Sequence, residues 1–366
     1  MLISKLRHHI LSAAIILSLS AVAVIPSACS SAARTEASAT SFTDTIFTPQ
    51  VASGFRIMAN SAGEQRLEVY NPWQGSTADT SAIVIPSGGF GRLVCMSTTH
   101  LAMLDRVDAL NRVVGVSGMQ YITYPQILSR RDEIADVGYD GAIDYELLLA
   151  QRPELVLLYG VGGPSTMESK LRELGVPYVY IADYLEADPL GRAEWMVALA
   201  ALAGVDAQQA AANFAPTASA YQELRQKVAQ AAATAPKVML NAPYSSTWYM
   251  PSADSYMVRL LDDAGADYIY KQQAPAGNAS TTIDIEQASL LLLQADFWLN
   301  PGQATDLGQL QQLAPKAQFS GEVWNVNSDY WQSGTVHPDL ILRDLVQIFH
   351  PTLIGDSEKA YYFQLK

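Results

Sequence analysis

The chain is poor in the residues that most often carry catalysis or bind metals. Two cysteines in 366 residues, Cys29 and Cys95, exclude a disulfide scaffold and a thiolate metal site. Five histidines are present, and only His100, His337 and His350 lie beyond the first thirty residues. H-E-x-x-H, paired C-x-x-C, an EF-hand loop and the P-loop Gly-Lys-Ser/Thr spacing are all missing. Basic residues are scarce too: 23 Lys and Arg against 36 Asp and Glu give a formal charge of −13. That balance excludes nucleic acid as a partner and a polybasic grip on anionic lipid. A hydrophobic content of 49% places the chain among globular proteins, and its length is sufficient for two domains.

The one long apolar run is N-terminal. Lys5 and Arg7 precede Ile10 to Ile25, followed by Ser27, Ala28 and Cys29. A charged start, a short apolar core and a small-residue end form an export signal over 1–28, too short and wrongly flanked for a membrane span. Cys29 directly after the small residues resembles the lipidated cysteine of a bacterial lipobox, with Pro26 where that motif prefers Leu. Residues 29–45, small and polar, read as a flexible tether. If Cys29 carries lipid, Cys95 has no partner and reads as a buried thiol in a strand.

From Phe55 to Pro86 the pieces FRIM, QRLEVY and SAIVI, separated by turn residues, predict β-hairpins at the front of a first lobe, 46–187. Short strand–helix alternation follows, with RLVCMS, RVVGVSG, PELVLLYG and VPYVYIA as strands. Ser165 with Glu168 three residues on forms a capping-box pattern that predicts a helix over 166–174. The stretch 188–235 is rich in helix formers behind Asp188-Pro189 and reads as a helical spine. Gly204 and Pro216 are expected to break it, leaving 216–233 as the bridge. After it, 236–366 alternates again with KVMLNAP, ADYIYK, FWLNPG and EVWNVNS as strands. The expected fold is therefore α/β: two Rossmann-like lobes with mainly parallel sheets, joined by one long α-helix, plus the N-terminal β-hairpins. The alternative is one large domain with a long surface helix.

The halves share a local pattern. Asp144-Tyr145-Glu146 opens a helix before a strand ending at Tyr159-Gly160, and Asp284-Ile285-Glu286 opens one before a strand ending at Asn300-Pro301-Gly302. Glu146 and Glu286 thus occupy corresponding surface positions, where a first-turn carboxylate also suits the helix dipole.

Catalytic readings find little purchase. Gly115-Val116-Ser117-Gly118 misses the G-x-S-x-G elbow, and Gly160-Val161-Gly162-Gly163 lacks the third glycine of a dinucleotide loop. By contrast, Tyr121, Tyr124, Tyr139, Tyr159, Tyr244, Trp248, Tyr249, Tyr330 and Trp331 all fall at strand ends or in the loops following strands. Open parallel sheets bind ligands beyond the carboxyl ends of their strands, and stiff rings with one polar edge suit a large, partly apolar ligand.

The motifs STTHLAMLDRV…NRVVGVSG, DVGYDGAIDYELLLAQRPELVLLYG, KVMLNAPYSSTWYMPSADSYMVRLLDDAG, TIDIEQASLLLLQADFWLN and SDYWQSGTVHPDLILRDLVQIFHP, with the spine, are similar to those of a known family. The chain from about residue 53 onward resembles the periplasmic substrate-binding proteins of ABC importers for cobalamin and iron complexes, including ferric siderophores and haem. The lipobox and the hairpins around Asn71-Pro72-Trp73 resemble those of lipid-anchored members. The resemblance implies a monomeric binding lipoprotein, not an enzyme, with no cofactor of its own, no catalytic residue and no resident metal ion. Its ligand, an iron chelate, haem or cobalamin, would sit between the lobes and pass to an ABC permease dimer with its ATPase. Cleft contacts implied are Tyr121 or Tyr124, Tyr139, Tyr159, Trp248 or Tyr249, and Tyr330 or Trp331. Arg130 and Arg131 read as a solvated helix face, with contact to an anionic siderophore as the alternative. Glu146 and Glu286 match the family's permease-docking glutamates. The rival reading is an exported α/β hydrolase using Ser117 with His100 or His337.

Overall fold

The computed structural model describes residues 41–231, 233–244, 247–277 and 280–366. The export signal over 1–28, Cys29 and the tether as far as residue 40 lie outside the described residues.

An antiparallel four-stranded meander comes first: Asp44–Phe47, Phe55–Ala59, Gln65–Tyr70 and Thr80–Ile85, in sequence order. Its alternation is that of a half-buried sheet, with Phe55, Ile57, Leu67 and Val69 inward. The Ser61–Glu64 turn is set by Asn60, whose side-chain oxygen accepts from Ala62 N and Glu64 N at 3.0 Å each, and by Gly63 at φ +80°. Two buried carboxylates then fasten this sheet to the body. Glu194 accepts from the N–H groups of Gln50, Val51 and Ala52 at 2.7–2.9 Å. Glu186 accepts from Ser53 N, Gly54 N and Trp195 Nε1 at 2.9–3.1 Å.

The first lobe is built on a five-stranded parallel sheet, in the order Tyr178–Tyr180, Leu155–Leu158, Leu93–Cys95, Val113–Val116, Ala135–Asp136. Its central strands are buried along their whole length, which is why they read as unbroken apolar runs. The second lobe repeats the plan with Asp267–Tyr268, Lys237–Leu240, Phe297–Leu299 and Glu322–Val326 in parallel, and Tyr362–Gln364 closing the edge antiparallel. A three-stranded antiparallel sheet, Pro243–Tyr244, Thr247–Met250 and Thr281–Asp284, is set on this lobe. The mixed α/β architecture with parallel sheets and one long helix is the expected one.

The spine enters at Asp188, whose carboxylate accepts from Leu190 N at 2.8 Å with Pro189 at the first turn. Pro189–Glu194 and Met196–Leu202 are short buried helices. After a turn at Gly204 (φ +72°), a helix of 25 residues runs from Ala207 to Ala231, about 37 Å at 1.5 Å per residue. Ala210, Phe214, Thr217, Tyr221 and Val228 form its buried stripe. Tyr221 donates to Asp263 of the second lobe at 2.7 Å. Two expectations are corrected. The bridge does not begin at Pro216: the helix runs through it, because Pro216 and Ala212 both face solvent, and water can take the carbonyl that proline leaves unpaired. The helix expected over 166–174 spans Glu168–Glu173. Its capping pattern is bridged by Tyr180, whose hydroxyl accepts from Ser165 N and donates to Glu168, each at 2.9 Å.

Candidate functional site: an aromatic crevice between the lobes

The loops at the carboxyl ends of the two parallel sheets meet. Thr98, just after the strand Leu93–Cys95, donates through Oγ1 to Trp331 O at 3.2 Å. Thr123 donates from its backbone N–H to Gln332 Oε1 at 2.8 Å and from Oγ1 to Asp329 Oδ1 at 3.0 Å. All three bonds end on residues 329–332, in the loop that follows the strand Glu322–Val326. Beside them lies a cavity of about 230 Å³ lined by Thr98, Thr99, Arg192, Tyr256, Tyr330 and Trp331 among others. Ligand sites usually span about 300–1,000 Å³, so this cavity by itself is smaller than a usual ligand site.

The rings divide cleanly between surface and core. Tyr121, Tyr139, Tyr244, Tyr249 and Trp331 are 46–77% exposed, and Tyr159 is half-buried. Of the nine rings, one from each alternative pair is buried: Tyr124, Trp248 and Tyr330, the last of which still lines the cavity. Trp248 lies on a strand where side chains alternate, so it points into the core with Met250 while Tyr249 points out. Its indole donates to Leu240 O at 2.8 Å and its ring lies 5.7 Å from Trp298. Tyr330 packs edge-on to Trp331, Tyr361 and Tyr362 at 5.0–6.2 Å, and burial holds its hydroxyl protonated well above the usual range. Tyr124 turns inward with a buried hydroxyl. Exposed rings thus come from both lobes: Tyr121 and Tyr139 from the first, with half-buried Tyr159, and Tyr244, Tyr249 and Trp331 from the second.

Cations are placed elsewhere. Arg130 donates to the carbonyl oxygens of Leu110, Asn111 and Val113 at 3.3–3.4 Å, which is the amino end of its sheet. Arg131 is exposed on the same segment. The guanidinium that does reach the inter-lobe region is Arg192, which sequence reading missed. It pairs with buried Asp183 at 3.2 Å and lies 4.4 Å from the Tyr256 ring centroid. Burial opposes its charge, and Tyr256 and Asp183 outweigh that. An isolated Arg-x-Glu inside the otherwise apolar run from Pro189 to Ala203 was the available signal, since a charge there must be partnered. Thr98, Thr99, Thr123 and Gln332 carried no such mark.

Glu146 and Glu286 stand in matching geometry. Asp144 caps its helix by accepting from Leu147 N at 2.9 Å, and Asp284 does so from Gln287 N at 2.7 Å. Each glutamate is the second residue of its helix and exposed. Lys316 lies 3.8 Å from Glu286, with both side chains largely in water, an arrangement contributing little.

The hydrolase constellation is not assembled. His100 sits in the core, where burial pushes its imidazole down to about 3. Among the described residues no hydrogen bond joins Ser117 to His100 or His337; Ser117 N donates to Cys95 O at 3.1 Å. Cys95 is a buried free thiol whose pKa burial pushes up, opposite to a nucleophile's need. Among these residues none of the helices is long and apolar enough to cross a membrane, and no group of three or more His, Cys, Asp or Glu could hold a metal ion.

Comparisons with known proteins agree with this plan. An uncharacterised lipoprotein of Methanocaldococcus jannaschii is 28% identical over 292 residues, 74% of this chain and 68% of that one. The fold is similar to that of a periplasmic haem-binding protein from Pseudomonas aeruginosa, with a TM-score of 0.58 and 19% identity over 76% of this chain and 98% of that one. It is also similar to the periplasmic vitamin B12 binding protein of Vibrio cholerae, with a TM-score of 0.50 and 15% identity over 70% and 96%. Residues 93–313 match the family model described as periplasmic binding protein, and the chain belongs to that family.

Proposed function

We propose that this chain is the ligand-capturing component of an ABC importer, exported and anchored through Cys29. It takes an iron chelate or a corrinoid between its lobes and delivers it to a permease dimer. The observation that carries the reading is the set of rings beyond the carboxyl ends of the two sheets: Tyr121 and Tyr139 exposed and Tyr159 half-buried on the first lobe, Tyr244, Tyr249 and Trp331 exposed on the second. Large, stiff rings bind planar or macrocyclic surfaces at low entropic cost. Glu146 and Glu286 are the docking contacts for permease cations, one on each lobe. The arginines set charge limits on the ligand. Arg192 is neutralised by Asp183 and Arg130 is at the far end of its sheet, which favours a neutral or weakly charged complex over a polyanionic one.

Adding haemin, cyanocobalamin and ferrioxamine B in turn while following intrinsic Tyr and Trp fluorescence tests the proposal. Saturable quenching by one of them is expected. No response to any of the three refutes the ligand class.

A further inference from the structure

The family match begins at residue 93, so the N-terminal meander lies ahead of it. One loop of that meander, Asn71 to Asp79, reaches the crevice side of the first lobe. The loop is closed on itself: Asn71 N donates to Asp79 O at 2.9 Å, Ser76 N to Trp73 O at 3.0 Å and Ser76 Oγ to Asp79 Oδ2 at 2.8 Å. It then grips the segment Tyr159–Gly163. Gln74 N donates to Gly160 O at 3.0 Å, and Gly162 N donates to Gln74 Oε1 at 3.1 Å. Tyr184 adds a bond from its hydroxyl to the same Gly160 oxygen at 2.7 Å. Trp73 packs edge-on to Tyr180 at 5.2 Å and lies so close that a Cβ on Gly160 would sit 2.5 Å from its own.

The gripped segment has little to hold it from within. Gly160, Gly162 and Gly163 leave Val161 as its one side chain between Tyr159 and Pro164, and Gly162 and Gly163 have φ of +78° and +141°. Ordering such backbone costs about 1–2 kcal/mol per residue, and glycine stands at the upper end. The segment follows the strand Leu155–Leu158, which lies between Leu93–Cys95 and Tyr178–Tyr180 in the sheet. The loops after those two neighbours carry Thr98 and Asp183, both part of the inter-lobe contact region. Tyr159 and Val161, the latter 68% exposed, therefore belong to the same crevice edge.

We infer that Trp73 and Gln74 are positioning residues for the ligand: they hold the Tyr159–Gly163 lip in its binding shape, so that the ordering cost is met on folding and not on binding. This rests on the ligand-capture reading above. The test uses the full chain in detergent, as wild type, Gln74→Ala, Trp73→Ala and Trp73→Phe. Two quantities are measured: amide hydrogen exchange across 159–163, and affinity for whichever of haemin, cyanocobalamin or ferrioxamine B the wild type binds. Gln74→Ala and Trp73→Ala should each speed exchange at Gly162 and weaken binding by about tenfold, the equivalent of one lost hydrogen bond. Melting of Gln74→Ala should stay close to wild type, and Trp73→Phe, which keeps a ring against Tyr180, should keep both quantities near wild type. Unchanged exchange in Gln74→Ala overturns the grip. Faster exchange with unchanged affinity overturns the positioning role while leaving ligand capture intact. A wild type that binds none of the three probes refutes ligand capture itself, and the positioning role falls with it.

Discussion

Glu194 fastens the N-terminal sheet with a buried negative charge, and replacing it by glutamine isolates what that charge does. The side chain is 3% exposed and accepts from three N–H groups, with Oε1 on Gln50 and Oε2 on Val51 and Ala52. Glutamine has the same shape but one acceptor oxygen and one NH₂. In its better orientation the oxygen keeps Val51 and Ala52 while the NH₂ faces the N–H of Gln50, donor against donor. Leaving one buried donor unpaired costs about 1–3 kcal/mol, and turning two charge-assisted bonds into neutral ones costs about 1 kcal/mol each. Removing the desolvation penalty of the carboxylate offsets part of this, so a net loss of about 3 kcal/mol is expected. Glu186 still holds Ser53 and Gly54, which confines the damage to the sheet. Hydrogen exchange over Phe55–Ala59 should accelerate on the order of a hundredfold, the equivalent of that loss. Exchange over Lys237–Leu240 in the second lobe should stay unchanged. Unaltered protection of Phe55–Ala59 in Glu194→Gln, or an equal acceleration in both lobes, would refute the clamp.

Three further outcomes are expected. His100 titrates near 3 when folded and near its ordinary 6.5 when unfolded, so the unfolded chain takes up a proton first and stability falls as pH drops through that window. By pH 5 the loss is about 2 kcal/mol, and denaturant unfolding at pH 7 and pH 5 should show a smaller difference in His100→Leu than in wild type; equal differences would contradict the assignment. Pro216→Ala restores a helix bond at an exposed position and should raise stability by about 1–3 kcal/mol, read as a higher denaturation midpoint, whereas a lower midpoint would mean the proline is required. Glu146→Arg with Glu286→Arg should leave ligand affinity unchanged and abolish uptake in cells, and intact uptake would refute the docking role.

What was legible in the sequence is what local chemistry decides. The unbroken apolar strands, the Asp-Pro helix entry and the two Asp-x-Glu caps each follow from a few adjacent residues, and each is found where those residues stand. Pro216 misled because its effect on a helix depends on which way it faces, and a proline on the wet side is tolerated. The aromatic pairs were ambiguous for a similar reason: both members sit in the same loop or strand, and only backbone direction separates Tyr249 from Trp248 or Tyr121 from Tyr124. Period-two alternation through Met250 could have settled the strand pair. Arg192–Asp183 and the Thr123 bonds to residues 329 and 332 join positions far apart in the chain, with no periodic trace to betray them. The Tyr180 bridge between Ser165 and Glu168 belongs to the same class.

One ligand is expected to touch exposed rings of both lobes at once. Calorimetric titration of the ligand found in the fluorescence screen, against wild type, Tyr121→Ala, Trp331→Ala and the double variant, tests it most directly. Loss of a ring that anchors a binding site commonly costs about 1–2 kcal/mol or more, so each single variant should bind roughly tenfold more weakly and the double variant more weakly than either. Wild-type affinity in both single variants would contradict a ligand held between the lobes.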